Sequence, residues 1–286
     1  MKKFINNNKI VKKKIAVVIL TYNSEKIIKK TIIAARKITK NIIIVDSFSK
    51  DKTLKIAKSF NCQIYKKKFK NYFLQRNNII KKCDNLFEWQ LHLDSDEILG
   101  KKLITNINII IKQNNKKYAY LIKRKVYFLN KKLNFGGSSN RHLRLFPSSS
   151  TFVEHTSYDQ HFKSSLETKN IPGFVHDMNV QNLNNWITSH NKWSDAVAKE
   201  KTLTLHKRKV APNLFGNSIE RLRFFKYLYY LFPGGIRSFL LFIYKYFFLF
   251  GFLDGKIGFY YCFFNSLWFR TLIDAKKYEK KINNYK

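Results

Sequence analysis

Short continuous runs of β-branched and aliphatic residues recur through the first hundred residues, and they constrain the fold more than any other feature. The first, IAVVIL, has no polar residue to place on a solvent face, which is typical of a strand buried on both faces. Four predicted strands lie at residues 15–20, 41–45, 62–65 and 87–93. Apolar residues at helical spacing predict helices between them, over residues 25–38, 54–57 and 72–82. This alternation predicts an α/β fold with a mostly parallel, Rossmann-like sheet and helices on both faces.

Polar residues follow the predicted strands at the points where the strands end. Asn23 follows the first strand, Asp46 ends the second, and Asp94 and Asp96 follow the fourth. In such sheets, ligands bind beyond the carboxyl ends of the strands, which lie at one edge. The sequence therefore predicts that these side chains converge on one site.

The string LHLDSDEI at residues 91–98 concentrates negative charge in a chain whose formal net charge is +37. Asp94 and Asp96 are two positions apart, so on an extended segment both carboxylates point the same way and can face one cation. Mg²⁺ commonly binds one or two carboxylates together with substrate phosphates. A solvated turn is the alternative interpretation of so short a motif, and the position beside the end of the second strand favours the cation.

The sequence pattern changes after the first hundred residues. Residues 118–125 and 143–146 predict further strands, and residues 182–201 predict a long helix. No comparable run of alternating strands and helices follows, so the motifs of this half are weaker.

Beyond residue 211 the chain is aromatic and apolar. Residues 236–253 approach the ~20 residues that span a bilayer, but Arg237 and Lys245 interrupt them. Flanking basic residues together with Tyr and Trp favour a segment that lies in the membrane interface. A buried helical pair and a true or re-entrant span are the alternatives.

The positive charge predicts attraction to anionic matter, such as nucleic acid, anionic lipid headgroups or phosphorylated substrates. A genome rich in A and T is an alternative origin of many lysines, although the surface consequence is the same. The lysines are spread along the chain and no nucleic-acid module is recognisable, which argues against a nucleic-acid partner. Cys62, Cys83 and Cys262 are far apart, which fits a reducing cytoplasm.

Several strings in the first hundred residues resemble those of a family 2 glycosyltransferase, whose members have the A-type nucleotide-sugar-binding fold. These are VVILTYNSE (17–25), IIIVDSFSKDKT (42–53), QRN (75–77) and LHLDSDE (91–97). Phe48 stands where glycine is usual, so the loop after the second strand is expected to differ in shape. Later strings, such as RHLRLF (141–146) and HNKWSDAVAKE (190–200), resemble a bacterial branch that builds surface polysaccharide or lipopolysaccharide.

The resemblance implies a nucleotide pocket that holds a divalent cation. Thr21 and Asn23 would line this pocket, and Asp46 would accept a hydrogen bond from the base. Asp94 would lie near the ribose and the cation, and Asp96 would hold the Mn²⁺ or Mg²⁺ that bridges the diphosphate.

Two neighbouring residues have supporting roles in this interpretation. Arg76 would donate a charge-assisted hydrogen bond to the diphosphate, and an exposed helical arginine is the alternative. Glu97 is interpreted as a group that orients the others rather than as a ligand.

An inverting transfer needs a base that deprotonates the acceptor hydroxyl. Asp159 in the string YDQHF is the first candidate, and Glu154 is the alternative. His161 is a further candidate ligand for the cation. Arg141 and Arg144 are either contacts to a phosphate of the donor or acceptor, or exposed strand arginines.

The sequence thus predicts a nucleotide-sugar-binding half (1–115), an acceptor-binding half of the same catalytic domain (116–210) and a helical membrane-interface segment (211–286). The predicted function is inverting, metal-dependent transfer of a sugar from a nucleotide-diphosphate sugar to a hydroxyl of a glycan or lipid-linked acceptor. The predicted location is peripheral, on the anionic cytoplasmic face of the inner membrane, in surface-polysaccharide or lipopolysaccharide synthesis. A polyprenyl-phosphate sugar transferase and a basic nucleic-acid-binding protein are the alternatives.

Overall fold

The computed structural model describes residues 12–137, 140–154, 161–178, 182–199, 214–215 and 218–283. The chain divides into two compact units. The first comprises residues 1–127 and 139–180, and the second comprises residues 128–138 and 181–286. The division of the sequence at residues 115 and 210 stays a prediction.

The first unit is an α/β structure. The strands of the chain are β1 (Lys13–Thr21), β2 (Ile42–Asp46), β3 (Gln63–Lys66), β4 (Phe87–Asp94), β5 (Glu97–Leu99), β6 (Tyr118–Phe128), β7 (Lys131–Lys132), β8 (Arg141–Pro147), β9 (Thr151–Val153), β10 (Phe162–Ser164) and β11 (Glu167–Met178). The helices of this unit are α1 (Ile28–Ala35), α2 (Thr53–Ser59), α3 (Tyr72–Asp84) and α4 (Lys101–Gln113). The four strands predicted in the first hundred residues are all present.

The main sheet runs in the order β3-β2-β1-β4-β8-β6-β11-β5. Strands β3, β2, β1 and β4 pair in parallel, as the alternation of strands and helices predicted. β8 pairs antiparallel with both β4 and β6, and β5 pairs antiparallel with β11, so the sheet is mixed rather than mostly parallel. The prediction failed at β8, which follows β6 with no described helix between them and therefore pairs with it antiparallel, whereas β6 and β11 pair in parallel.

Both faces of the parallel half of the sheet are covered by helices, as predicted. Alternate residues of β1 belong to two different cores, because successive side chains of a strand point to opposite faces. Val17 and Ile19 pack in the core that contains Ile32 of α1, together with residues of α4. Val18 packs in the core that contains Ile79 of α3. Most residues of β1, β2 and β4 are buried between these two cores. This burial fixes the positions of the strand ends.

The second unit is helical. Its described helices are α5 (Leu183–Lys199), α6 (Ser218–Leu231), α7 (Ile236–Ile243), α8 (Gly255–Cys262) and α9 (Phe269–Asn283). π-Helical turns extend α7 over Tyr244–Phe248 and join α8 to α9 over Phe263–Trp268. α5 packs beside α9, where the Nζ atom of Lys276 lies 2.7 Å from Oδ1 of Asp195.

One face of α7 and its π-helical extension is apolar and exposed. Ser238 and Phe242 are buried on the other side of the helix. The exposed apolar face consists of Ile236, Phe239, Leu240, Tyr244, Phe247 and Phe248. Among the described helices, none alone has the length and apolar composition of a membrane span. The segments Ile236–Phe248 and Gly251–Asn283 are bent by 70° relative to each other. Only the two together have the length and apolar composition of a span.

Candidate active site

The carboxyl ends of β2, β1 and β4 lie side by side at one edge of the sheet. Thr21 of β1 pairs with Asp46 of β2, and Leu20 of β1 pairs with Asp94 of β4. The acidic residues that end β2 and β4 are therefore separated by a single strand. The convergence predicted from the sequence is present in the fold.

Asp46 organises the loop that follows β2. Its side chain is fully buried, and Oδ2 accepts a hydrogen bond of 2.9 Å from the Thr21 hydroxyl. The backbone N–H of Ser49 donates to Oδ1 over 2.8 Å, and the Ser49 hydroxyl donates to Oδ2. These bonds hold residues 47–49 in a tight turn. The observed side-chain contacts of Asp46 are thus with Thr21 of β1 and with its own loop, which occupy both carboxylate oxygens.

Asn23 ties the loop after β1 to the same turn. Its backbone N–H donates to the Ser49 hydroxyl over 2.9 Å, and its side-chain Oδ1 accepts from the backbone N–H of Lys50 over 2.9 Å. Asn23 has a φ of 47°, in the left-handed region, and it is exposed. Asparagine tolerates this conformation better than most residues. Asn23 therefore lies at the mouth of the predicted nucleotide pocket.

Four carboxylates gather beyond β4 and form what we call the carboxylate cluster: Asp94, Asp96, Glu97 and Asp177. Asp177 joins them because β11 pairs with β5, which places Asp177 opposite Glu97. Nothing in the sequence pointed to Asp177, since no motif surrounds it. Only the pairing of β5 with β11 reveals it.

Three arginines neutralise part of this charge. Nη2 of Arg144 donates to Oδ2 of Asp94 over 2.9 Å and to Oε1 of Glu97 over 3.0 Å. Arg76 donates to Oδ1 of Asp94. Nη1 of Arg124 lies 3.2 Å from Oδ2 of Asp177. Arg76 and Arg144 are both buried, so neither is the exposed arginine that the sequence left as an alternative.

Glu97 has the contacts of an orienting group, as predicted. Its side chain is 1% exposed, and Oε2 accepts a hydrogen bond of 2.9 Å from the backbone N–H of Asp94. Its other oxygen binds Arg144. The carboxylate therefore fixes both the end of β4 and the guanidinium beside it.

The pKa shifts follow from this arrangement. Burial opposes the ionisation of Asp94, but the charges of Arg76 and Arg144 outweigh it and hold the Asp94 pKa well below its usual range. Burial raises the pKa of Asp177 to about 6, against the charge of Arg124. Burial and the charges of Asp177, Asp94 and Glu97 raise the pKa of Asp96 well above its usual range.

Asp96 is thus the carboxylate whose charge is left uncompensated. Within the described residues, no arginine or lysine forms an ion pair with it. The described part of the chain also has no set of three or more His, Cys, Asp or Glu residues arranged to hold a metal ion. A hard divalent cation that takes one or two carboxylates and completes its shell with phosphates and water fits this donor set. The residues present fit a cation held at Asp96.

Three consecutive residues of α3 bind three separate segments around the site. Nε2 of Gln75 donates to the Ser47 hydroxyl over 2.9 Å, and Arg76 binds Asp94. Asn77 exchanges two hydrogen bonds of 2.9 Å with the backbone of Val153 in β9. The roles of Gln75 and Asn77 were not predicted. The signal was present, because three polar residues in a row on a helix place at least one of them against the sheet.

Glu154, the alternative base, and His161, the candidate histidine ligand, lie next to the paired strands β9 and β10. Asp159 is outside the described residues. Oε2 of Glu154 lies 3.7 Å from Nζ of Lys163, and its backbone N–H donates to the carbonyl of His161 over 3.1 Å. His161 is exposed, and its ring stacks on His142 with 6.4 Å between the ring centroids. Glu154 and His161 are therefore neighbours in the structure.

Strand β8 carries the two arginines that the sequence grouped together, and it separates them. Arg141 is exposed at the start of β8, whereas Arg144 is buried at the carboxylate cluster. The ring of Phe162 from β10 lies 5.7 Å from the Arg144 guanidinium and 5.2 Å from that of Arg76. This ring shields both cations from water and strengthens their ion pairs.

Comparison with known proteins places this geometry in a family. The sequence of residues 16–164 matches the model of the family described as glycosyl transferase family 2. The chain belongs to glycosyl transferase family 2. Its mixed sheet with helices is an A-type-like α/β fold. The matched residues include every member of the carboxylate cluster except Asp177.

Relatives of this family 2 chain occur in Rickettsia. An uncharacterized glycosyltransferase of Rickettsia bellii is 36% identical over 118 residues, which cover 41% of this chain and 40% of that protein. One from Rickettsia typhi is 35% identical over 113 residues, covering 39% and 38% respectively. The chain thus matches about two fifths of the length of these relatives.

Solved structures are similar to the chain at low identity and low TM-score. TarS of S. aureus (residues 1–349) is 12% identical with a TM-score of 0.41, over 93% of this chain and 91% of that one. The mannosyltransferase PcManGT of Pyrobaculum calidifontis, solved with GDP-Man and Mn²⁺, is 12% identical with a TM-score of 0.32, over 41% and 36%. Similarity of this size assigns neither a substrate nor a metal to this family 2 chain.

Proposed function

We propose that the chain transfers a sugar, with inversion, from a nucleotide-diphosphate sugar to a hydroxyl of a glycan or lipid-linked acceptor, and that Mn²⁺ or Mg²⁺ at Asp96 assists. The carboxylate cluster carries this proposal. It lies at the carboxyl end of β4 within a family 2 domain, and no lysine or arginine among the described residues forms an ion pair with Asp96. A divalent cation there would neutralise the charge that develops on the leaving diphosphate.

The chain's own residues supply the rest of the mechanism. Asp94 holds the guanidinium groups of Arg76 and Arg144 beside the cation site, where they attract the diphosphate. A base accepts the proton of the acceptor hydroxyl as its oxygen bonds to the sugar carbon and the bond to the diphosphate breaks. Asp159 is our first candidate for this base, and Glu154 is the alternative.

A donor screen tests the proposal. The full chain is incubated with UDP-, GDP-, CDP- and ADP-sugars in Mn²⁺, and each is scored by thermal shift and by slow hydrolysis of the donor. We expect one donor class to raise the midpoint of unfolding only when Mn²⁺ is present, since a ligand that binds the native state stabilises it. Binding of RNA or DNA with steep salt dependence, with no donor hydrolysed, would contradict the proposal.

We further propose that the second unit holds the enzyme on the anionic cytoplasmic face of the inner membrane, where a lipid-linked acceptor for surface-polysaccharide or lipopolysaccharide synthesis would lie. The exposed apolar face of α7 and the net charge of +37 support this. Aromatic side chains favour the headgroup level of a bilayer, and basic residues favour anionic lipids.

Replacing Phe247 and Phe248 together with serine is expected to weaken binding to vesicles that contain anionic lipid by roughly tenfold or more, because two exposed rings are removed from the apolar face. Flotation with vesicles measures the bound fraction. The control is Phe152→Ser in the first unit, where the side chain is 56% exposed, and it should bind as the unaltered chain does. Equal loss in both variants would contradict this role of the apolar face.

A further inference from the structure

The loop after β2 holds an aromatic residue in a backbone conformation that favours glycine. Phe48 has a φ of 64°, in the left-handed region. A side chain with a Cβ atom is strained there, and a bulky one is a true outlier. Glycine would adopt the conformation freely. The chain therefore keeps a phenyl ring at a position where its backbone would be more stable without one.

Packing does not compensate for this strain. Phe48 is 54% exposed, so its ring recovers only part of the free energy that a buried phenyl gains. Strained backbone persists where the surroundings over-determine it, and such positions cluster at ligand-binding sites. The exposed and strained ring therefore indicates a contact with a ligand.

The backbone on both sides of Phe48 is firmly held. The N–H of Ser47 donates to the carbonyl of Thr21 over 3.0 Å, and the N–H of Ser49 donates to Asp46 over 2.8 Å. The buried carboxylate of Asp46 therefore fixes the turn that presents Phe48. A ring on such a turn loses little conformational freedom when a ligand binds to it.

The ring stands at the edge of the sheet where the nucleotide is proposed to bind. Thr21 pairs with Asp46, so the residues that follow β1 and β2 are neighbours at this edge. The polar groups within this edge are mostly occupied by one another, as the bonds of Asp46 and Ser49 show. What the loop offers to a ligand is therefore a flat apolar surface beside a polar rim, and a planar heteroaromatic ring matches it.

We propose that Phe48 stacks on the nucleobase of the nucleotide donor. This inference rests on the proposed function and deepens it, because it names the residue that receives the base. Stacking tolerates every base, since each has a π face. Phe48 should therefore contribute to affinity for the nucleoside part of the donor and nothing to affinity for the diphosphate.

The chain offers a matched control for the test. Phe250 in the second unit has a φ of 56° and is also 54% exposed. Phe48→Gly and Phe250→Gly therefore remove the same side chain from the same kind of backbone at the same exposure. Their effects on the midpoint of thermal unfolding should be similar, so a difference in ligand binding reports on the site alone.

Titration calorimetry of the full chain with UDP, GDP, CDP, ADP and inorganic pyrophosphate in Mn²⁺ measures the effect. We expect Phe48→Gly to raise the Kd of the preferred nucleoside diphosphate by roughly tenfold or more, the value of one stacked base. The Kd of pyrophosphate should not change, and Phe250→Gly should bind every ligand as the unaltered chain does. Phe48→Tyr should bind the nucleoside diphosphate as tightly as the unaltered chain does, because tyrosine keeps the aromatic face.

The outcomes separate this inference from the proposed function. If the unaltered chain binds no nucleoside diphosphate, the proposed function fails and the inference fails with it. If the unaltered chain binds one and Phe48→Gly binds it equally well, the stacking role is wrong while the function stands. An equal loss of affinity for pyrophosphate would also overturn the stacking role, because it would show that the glycine variant distorts the whole loop.

Discussion

Replacing Asp96 with asparagine is expected to reduce metal-dependent turnover on the order of 10²–10³-fold, because the variant loses a carboxylate of the cluster that pairs with no arginine or lysine of the described segments. The Kd for Mn²⁺ in the presence of the nucleotide should rise in parallel. Initial rates with the donor identified by the screen, together with calorimetric titration of Mn²⁺, measure both effects.

The stability of this variant separates a site residue from a structural one. Asparagine removes one of four crowded carboxylates, so the free energy of unfolding without metal should stay the same or increase. Asp195→Asn is the control, because its side chain is 54% exposed and pairs with Lys276 at the surface of the second unit. That change should affect neither turnover nor Mn²⁺ binding. Retained turnover of Asp96→Asn in Mn²⁺ would show that the cation is held elsewhere.

Replacing Arg144 with methionine is expected to lower the free energy of unfolding by about 3–5 kcal/mol, because it leaves the buried charge of Glu97 without its partner. Methionine keeps much of the length of the side chain, so the loss reports on charge more than on volume. Urea denaturation monitored by circular dichroism measures the difference.

Two further variants make this prediction specific. Arg141→Met on the same strand removes an exposed arginine and should change the free energy of unfolding by less than about 0.5 kcal/mol. Adding Glu97→Gln to Arg144→Met should recover part of the loss, because the unpaired charge is then removed. If Arg144→Met is as stable as Arg141→Met, the ion pairs of Arg144 are not important to the fold.

The sequence predicted the parallel half of the sheet because its signals are local. The run at residues 15–20 and, after Asn41, the run at residues 42–45 are wholly apolar, which is typical of a strand covered on both faces. Since parallel strands place their carboxyl ends together, the meeting of Asp46 with Asp94 followed from the same pattern.

The antiparallel half could not be predicted in the same way. β11 reads ETKNIPGFVHDM, in which no apolar alternation marks a buried face, and β5 is only three residues long. Their pairing depends on contacts between residues far apart in the sequence, and it alone delivers Asp177 to the cluster. α4 was a different case, because Leu103, Ile107 and Ile111 recur at helical spacing and the signal was overlooked.

The burial of Arg144 could likewise not be predicted from the sequence. Arg141 and Arg144 both belong to β8, three positions apart, and residues an odd number apart on a strand point to opposite faces. The pattern therefore indicated that they differ, but it could not show which one faces the acids. That choice depends on where β8 joins the sheet beside β4.

The turn of α3 that carries Gln75, Arg76 and Asn77 has a consequence for how this site can vary. Each residue of a helix is rotated by roughly 100° from the one before it, so the three side chains reach three separate segments: the loop after β2, the end of β4 and β9. Substitutions could alter one connection at a time. A single-residue insertion or deletion would instead rotate the following helix by the same angle and redirect the connections beyond it together. The length of this turn is therefore more tightly restricted than its composition.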